Sequence, residues 1–277
     1  MNKNLAILLA TYNSEPFLSE QLDSLFNQTY QDWTLYIRDD GSTDSTINLI
    51  QKYHNKYPTR IFIMNDTESH IGPMNSFMRL LENIDANYYM FCDHDDIWLP
   101  HKVEASLNKM LEIEQENPQI PIIIHTDLQV VDKQLNKISD SFWKYSKLKP
   151  HILKKFNYIG VCNCVTGCTM LFNIYAKRIS FPFASCAPMH DWWIAAKVAK
   201  EGKIEEIHKA TILYRQHMTN KIGARNISTF YFIHKIIKLT DTLKGHKVLF
   251  PFHKSIGYGS IAKYYLYKIL YTIRRNF

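Results

Sequence analysis

Apolar positions in the first hundred residues alternate between short continuous runs and helical stripes. Leu5 to Ala10 is an unbroken apolar run, the mark of a strand covered on both faces. Leu18, Leu22, Leu25 and Phe26 then recur at helical spacing, and the strand–helix pattern repeats. Strands are predicted at Trp33–Ile37, Ile61–Met64 and Asn87–Met90. Helices are predicted through Ile47, Ile50 and Tyr53, through Phe77, Leu80, Leu81 and Ile84, and through Val103, Leu107 and Leu111. Four alternations at short spacing imply right-handed crossovers and a mainly parallel sheet flanked by helices. The polar turns Thr11–Asn13, Asp39–Asp44 and Asp93–Asp96 all follow strands, so they share the sheet edge where open α/β folds bind ligands. Within them, Asn13 or Ser14 can cap a helix, Gly41 permits a tight turn, and Asp40, Ser42 and Thr43 have turn and cap chemistry.

The second half is less regular. Pro121 to Val131 reads as a strand interrupted by His125-Thr126-Asp127, and residues 133–160 as a loop with a short helix carrying Phe142, Trp143 and Tyr145. Val165 to Phe172 reads as a further strand, in which Gly167 lets a backbone approach a ligand closely. His190-Asp191-Trp192-Trp193 opens a helix that Gly202 stops, and Ile212–Arg215 is a last strand leading to His217. This divides the chain into a catalytic domain over 1–227, with a nucleotide-binding half (1–98) and an acceptor half (99–227), and a tail over 228–277.

The chemistry concentrates at Phe91-Cys92-Asp93-His94-Asp95-Asp96-Ile97-Trp98, where three carboxylates crowd a loop after a strand. Such crowding is costly without a cation or donors to compensate it. Hard oxygen ligands suit Mg2+ or Mn2+, which share their shell with substrate phosphates, so the stretch points to a diphosphate ligand. The competing reading is a solvated acidic loop before a helix. Neither a G-x-G-x-x-G nor a Walker-type G-x-x-x-x-G-K is present. A hydrophobic share of 46% over 277 residues is that of a globular chain, and five cysteines, an odd count, argue against a disulfide framework. Cys162, Cys164 and Cys168 lack zinc-knuckle spacing and read as buried thiols. The N-terminal apolar run is too short for a signal sequence or a membrane span.

These motifs, in this order, resemble the family 2 glycosyltransferases, inverting enzymes with the GT-A fold, over about residues 5–220. Thr11-Tyr12-Asn13 is similar to the first-strand motif lining the nucleotide base. Asp39-Asp40-Gly41-Ser42-Thr43-Asp44 is similar to the second, whose first Asp binds uracil or thymine. Gly72 with Asn75 resembles the segment closing over the nucleotide, and Asp93-His94-Asp95 resembles the D-x-D. The resemblance implies that Asp93 faces the ribose, Asp95 binds the metal, Asp96 supports the site, Asp191 is the general base, and His217 lies near metal and diphosphate. Asp-His-Asp-Asp-Ile-Trp-Leu-Pro, His-Asp-Trp-Trp and Tyr-Arg-Gln-His look most like the rhamnosyltransferase-like branch that builds bacterial surface polysaccharides. His94 departs from that branch, where Gln or Ser is usual. The implied reaction moves a sugar from dTDP-rhamnose or a UDP-hexose to a glycan acceptor, lipid-linked, in capsule or O-antigen synthesis.

Bland readings stand beside these. Asp191 can simply cap its helix, with His190 the other candidate base, and at least one of Trp192 and Trp193 can be core. His217 alone can be structural; its place after Arg215 in Tyr214-Arg215-Gln216-His217, with Arg215 supporting the site, lifts it. Rival functions are a glycosyltransferase-like subunit without turnover and a sugar nucleotidyltransferase, although the loop after the first strand lacks the Gly-rich, basic character expected of the latter. The net charge of +7 lies in the tail: residues 228–277 carry +8, the remainder −1. A nucleic-acid partner does not fit the near-neutral remainder. Residues 228–243, with Phe232, Ile236, Leu239 and Leu243, and 255–275, with Ile261, Tyr264, Tyr265, Leu266, Ile269 and Leu270, read as interfacial helices for an anionic membrane surface. That places the protein in the cytoplasm, peripheral at the inner face of the cell membrane. The competing reading is a helical pair packed on the catalytic domain with a solvated basic face.

Overall fold

The structure is a computed structural model describing residues 4–217, Ala224 and 248–276. Its first half runs β1 (Leu5–Thr11), α1 (Leu18–Phe26), β2 (Thr34–Asp39), α2 (Thr46–Lys56), β3 (Ile61–Ile63), α3 (Gly72–Asn83), β4 (Tyr88–Cys92), β5 (Ile97–Trp98) and α4 (Lys102–Glu116). Then come β6 (Ile122–Val131), β7 (Lys137–Ser139), α5 (Phe142–Tyr145), α6 (Pro150–Leu153), α7 (Phe156–Ile159), β8 (Met170–Asn173), α8 (Ile174–Ser180), α9 (His190–Glu201) and β9 (Lys203–Arg215). Two further helices, α10 (Phe250–Ser255) and α11 (Ile261–Asn276), follow.

One mixed sheet has the order β3-β2-β1-β4-β8-β6-β9-β5, with β7 on β6. The run of β1 is buried at all seven positions because helices cover both faces. Leu5, Ile7 and Leu9 enter one core cluster and Ala6, Leu8 and Ala10 the other, the period-2 alternation of a strand. β3, β2, β1 and β4 are parallel. β8 runs antiparallel to β4 and β6, so β6, and β9 parallel to it, point the same way as β4. The start of β8 and the ends of β4 and β9 therefore meet at one edge. This topology brings residues near 93, 167 and 215 together.

Three predicted strands change, the first because the run expected to break at His125-Thr126-Asp127 is one continuous strand, β6. Gly167–Thr169 is a 3-10 turn, because the Thr169 amide and hydroxyl both return to the Thr166 carbonyl at 2.9 and 2.7 Å, and only Met170–Asn173 is extended. The last strand begins at Lys203, nine residues earlier than its apolar run suggests, and shifts register against β6 around Asp127. The acidic loop leads into β5, which pairs with β9, before α4 begins. Residues 133–160 form β7 and three short helices.

The boundary expected at 227/228 and the predicted helix over 228–243 lie outside the described residues. Beyond them, Phe252, Ile256, Tyr258, Tyr264 and Tyr271 are buried in the same core cluster as Tyr158, Ile159, Val161 and Trp193. No helix among the described residues is long and apolar enough to cross a membrane.

Candidate active site

The acidic loop is braced from the β9 end. Arg215 donates from its amide to Asp96 Oδ1 (3.1 Å), from Nε to the Asp95 carbonyl (3.0 Å), and from its other nitrogens to the Lys133 carbonyl and Glu20. Its guanidinium lies 4.9 Å from the Phe17 ring, and Phe17 stacks on His217. His217 Nε2 is 2.9 Å from Asp95 Oδ2. His94 is half-buried beside Asp95. Burial opposes the Asp95 charge, yet the His217 hydrogen bond and the fields of His94 and His217 hold its carboxyl below the usual range. Burial, with repulsion from Asp95 and Asp191, pushes Asp93 up to about 7. Burial pushes Asp96 well above its ordinary value, and beyond the Cys168 thiol its Oδ2 has no hydrogen-bond partner among the described residues. Lys102 is fully buried, with Nζ 4.4 Å from the Trp98 ring. Burial lowers it to about 8, against the pull of Cys168, Cys92 and Asp96.

The donor set fits a hard divalent ion. Asp93, Asp96 and Cys168 offer ligand atoms within 4.8 Å of one another, and Asp95 and His217 already converge. Sulfur is a soft donor, which leaves the carboxyl groups as the hard ligands of the set. Asp96 Oδ2, buried beside the Cys168 thiol and without another hydrogen-bond partner among the described residues, is the kind of acceptor such an ion would satisfy.

On the other flank, the Asp39 carboxylate is saturated. It accepts from the Gly41 and Ser42 amides (3.1 and 2.7 Å) and from the Thr11 and Ser42 hydroxyls (2.8 and 2.6 Å). Four acceptor sites are the capacity of a carboxylate, so a ligand reaches Asp39 only by displacing a hydroxyl. Asn13 accepts from the Thr43 amide at 2.9 Å, and Tyr12 is exposed with its ring edge-on to His70. Asp40 is a clamp: buried Arg38 donates to it, and it accepts the Ile71 and Gly72 amides at 3.0 and 2.8 Å, starting α3. Asn75 donates to the Ile71 carbonyl and lines a groove of about 710 Å3 with Phe181 and Phe183. Glu68, Arg79 and Glu82 also line that groove, and Gly72, through its amide on Asp40, lies beside the Asp39 turn.

Asp191 opens α9 at the same edge. Gly167 donates its amide to Oδ2 (2.9 Å) and Asn163 its side-chain amide to Oδ1 (3.3 Å). Burial raises Asp191 to about 6, partly offset by the Gly167 and Trp192 amides. His190 packs on Phe77 and Phe91, and burial holds its imidazole down at about 3, too weak a base to compete with Asp191. Trp192 donates to the Ile159 carbonyl and Trp193 to Ser180, both at 2.7 Å. Both indoles are thus anchored; Trp193 is buried in the core and Trp192 is half-buried.

The family follows from comparison with known sequences. Residues 6–179 match the model for Glycosyl transferase family 2. The chain belongs to glycosyltransferase family 2. It is 28% identical over 231 residues to the dTDP-rhamnosyl transferase RfbG of Shigella flexneri, covering 79% of this chain and 75% of the relative. It is 24% identical over 224 residues to the UDP-Glc:alpha-D-GlcNAc-diphosphoundecaprenol beta-1,3-glucosyltransferase WfgD of Escherichia coli, covering 80% of each. Among solved structures, S. aureus TarS 1–349 in complex with UDP-GlcNAc superposes with a TM-score of 0.57 at 19% identity, covering 85% of this chain and 66% of that one. The mannosyltransferase PcManGT from Pyrobaculum calidifontis, in complex with GDP-Man and Mn2+, gives 0.57 at 15% identity, covering 79% and 58%. This family 2 chain thus spans about two thirds or less of those two structures' length, and they establish its GT-A fold.

Three features of this family 2 site escape sequence reading: the Asn163 hydrogen bond to Asp191, the burial of Lys102 over the Trp98 ring, and the edge-on contact of His70 with Tyr12. Only Asn163 carries a signal, a polar residue between two thiols in an otherwise apolar stretch. Gly167 offers a direct test. A Cβ there would lie 2.9 Å from His190 Nε2 and 3.6 Å from the Asp191 Cβ. Gly167→Ala is expected to cost about 1–3 kcal/mol of stability through overpacking. It should lower turnover more than donor affinity, as thermal melting and steady-state kinetics would show. Equal kinetics would mean that the close approach does not position Asp191.

Proposed function

We propose that this chain is an inverting, metal-dependent glycosyltransferase that moves a sugar from dTDP-rhamnose or a UDP-hexose to a glycan acceptor. We infer further that the acceptor is lipid-linked and that the product enters capsule or O-antigen synthesis in a bacterium. The protein would work in the cytoplasm, peripheral at the inner face of the cell membrane. The observation that carries this reading is the meeting of Asp93, Asp95 and His217 with Asp191 at one sheet edge, although they come from distant parts of the chain. The named activities of RfbG and WfgD support the two donor classes, and the diphosphoundecaprenol in the WfgD name supports a lipid-linked acceptor.

The roles follow from the chemistry. A divalent ion held by Asp95, with Asp93 and His217 beside it, would neutralise the leaving diphosphate. Asp191, fixed by two donors, takes the proton of the attacking sugar hydroxyl. One base opposite the departing phosphate gives a single displacement, hence inversion. Tyr12, exposed beside the Asp39 turn, offers its ring to the nucleotide base, while Asp39 holds the turn through Thr11, Gly41 and Ser42. Arg215 and Asp96 keep the acidic loop in register. Calorimetric titration with UDP, dTDP, GDP and ADP in the presence of Mn2+ tests the donor half. A pyrimidine diphosphate should bind at least about tenfold more tightly than the purines. No preference, or binding unchanged by excess EDTA, would contradict the assignment.

A pH dependence follows as well. Asp191 serves as a base only when ionised, and its carboxyl is raised to about 6. The rate should therefore climb about tenfold per pH unit below 6 and level off above 7. A profile of kcat against pH that is flat from 5 to 8 would rule this group out as the base.

A further inference from the structure

We propose that the outward face of α11 docks on an anionic lipid surface and holds the acceptor side of the site against it. This deepens the lipid-linked-acceptor reading above and rests on it. The two faces of α11 differ in a way that neither expectation for the tail anticipated. Its inward face is aromatic: Tyr264 and Tyr271 are 1% exposed in the core. Several of its bases are turned to the protein. Lys268 Nζ donates to the Val161 carbonyl at 3.0 Å, Arg275 Nε to the Lys147 carbonyl at 3.0 Å, and Lys263 lies 4.9 Å from the Tyr258 ring. The outward face is aliphatic. Ala262, Leu266, Ile269 and Ile273 fall on one stripe at helical spacing, and the last three are 54%, 59% and 53% exposed.

Of nine large exposed apolar side chains among the described residues, five (Val248, Ile261, Leu266, Ile269 and Ile273) lie in the stretch 248–276. That stretch also carries five Lys/Arg and no Asp or Glu, with Lys254 and Arg274 exposed. An aliphatic stripe on a segment without acids, with Lys254 and Arg274 exposed, is complementary to an anionic bilayer, whose acyl boundary takes the stripe and whose headgroups meet the charge. The helix is also close to the chemistry. Val161, which accepts from Lys268, is two residues from Asn163, which binds Asp191. Phe252 of α10 packs edge-on to Trp192, next to the base. A bilayer seated on α11 would lie beside the segment that positions Asp191, where a lipid-linked acceptor must arrive.

The test uses full-length protein and vesicles of phosphatidylcholine with about one third phosphatidylglycerol. Wild type should co-sediment with them, and much less with pure phosphatidylcholine. Leu266→Glu/Ile269→Glu/Ile273→Glu should weaken binding at least about tenfold. The milder pair Leu266→Ser/Ile269→Ser should weaken it less. Melting temperature and calorimetric nucleoside diphosphate binding should match wild type in both, which separates failure of docking from failure of the donor site. Three results would overturn the proposal: wild type staying in the supernatant, folded variants binding as well as wild type, or sedimentation velocity showing that the stripe joins two copies that bind no vesicles.

Discussion

Asp191→Asn is expected to lower turnover by roughly two to four orders of magnitude, the range for removing a general base. Donor affinity should stay near wild type. The amide keeps the shape of the carboxylate and can still accept the Gly167 amide, so the turn before β8 and the start of α9 should survive. What it loses is the capacity to take a proton. The residual rate should also lose its rise near pH 6, because the group responsible no longer titrates. Single-turnover kinetics and donor calorimetry measure the two halves separately. A variant turning over at wild-type speed would reduce Asp191 to a helix-cap residue, and His190, buried and neutral, offers no substitute.

Asp95→Ala is expected to abolish metal-dependent transfer, a fall of roughly three orders of magnitude or more, because the site would lose several kcal/mol of charge stabilisation on the leaving diphosphate. The fold should be little affected: Arg215 braces the loop through the backbone carbonyl of Asp95, which the substitution keeps. Asp96→Ala is the informative contrast. Asp96 accepts the Arg215 amide inside the core, so its loss should depress thermal stability as well as rate. Wild-type protein in excess EDTA should behave like Asp95→Ala. Full activity in EDTA would sink the metal assignment, whatever the variants do.

The parts of this fold that were legible in the sequence are those where one force dominates. β1 and β4 are covered on both faces, so burial alone writes their continuous apolar runs. The acidic stretch was visible because three adjacent carboxylates need an explanation wherever they lie. β9 was only half visible. Its first residues, Lys203–Lys209, are partly exposed and largely polar, and their extended form comes from pairing with β6. Val165–Phe172 misled for the opposite reason: its composition suits a strand, but the Gly167 amide is taken by Asp191.

Side-chain roles set by tertiary contact were the hardest to read. Asp39, which by resemblance binds the nucleotide base, also holds its own turn through Thr11, Gly41 and Ser42, while its neighbour Asp40 clamps Arg38 and the start of α3. Lys102 carries no such signal in the sequence, and only the fold buries it, within the field of Asp96. The tail showed its helical period in the sequence but not its division into faces. Tyr264 and Leu266 belong to the same apolar pattern on paper, and packing of α11 on α7 and on His253 of α10 sends the tyrosine inward and the leucine to the surface.

The central claim is transfer from a nucleoside-diphosphate sugar at the site of Asp39, Asp93, Asp95 and Asp191. The measurement that bears on it most directly is nucleoside diphosphate release by purified protein with Mn2+ across a panel of UDP-, dTDP- and GDP-sugars, with and without a polyprenyl-diphosphate-linked glycan. Acceptor-stimulated release from dTDP-rhamnose or a UDP-hexose, abolished by EDTA and by Asp95→Ala, is the result expected. Binding of these donors without release from any of them, with wild type indistinguishable from Asp191→Asn, would contradict the claim and leave a binding subunit in place of an enzyme.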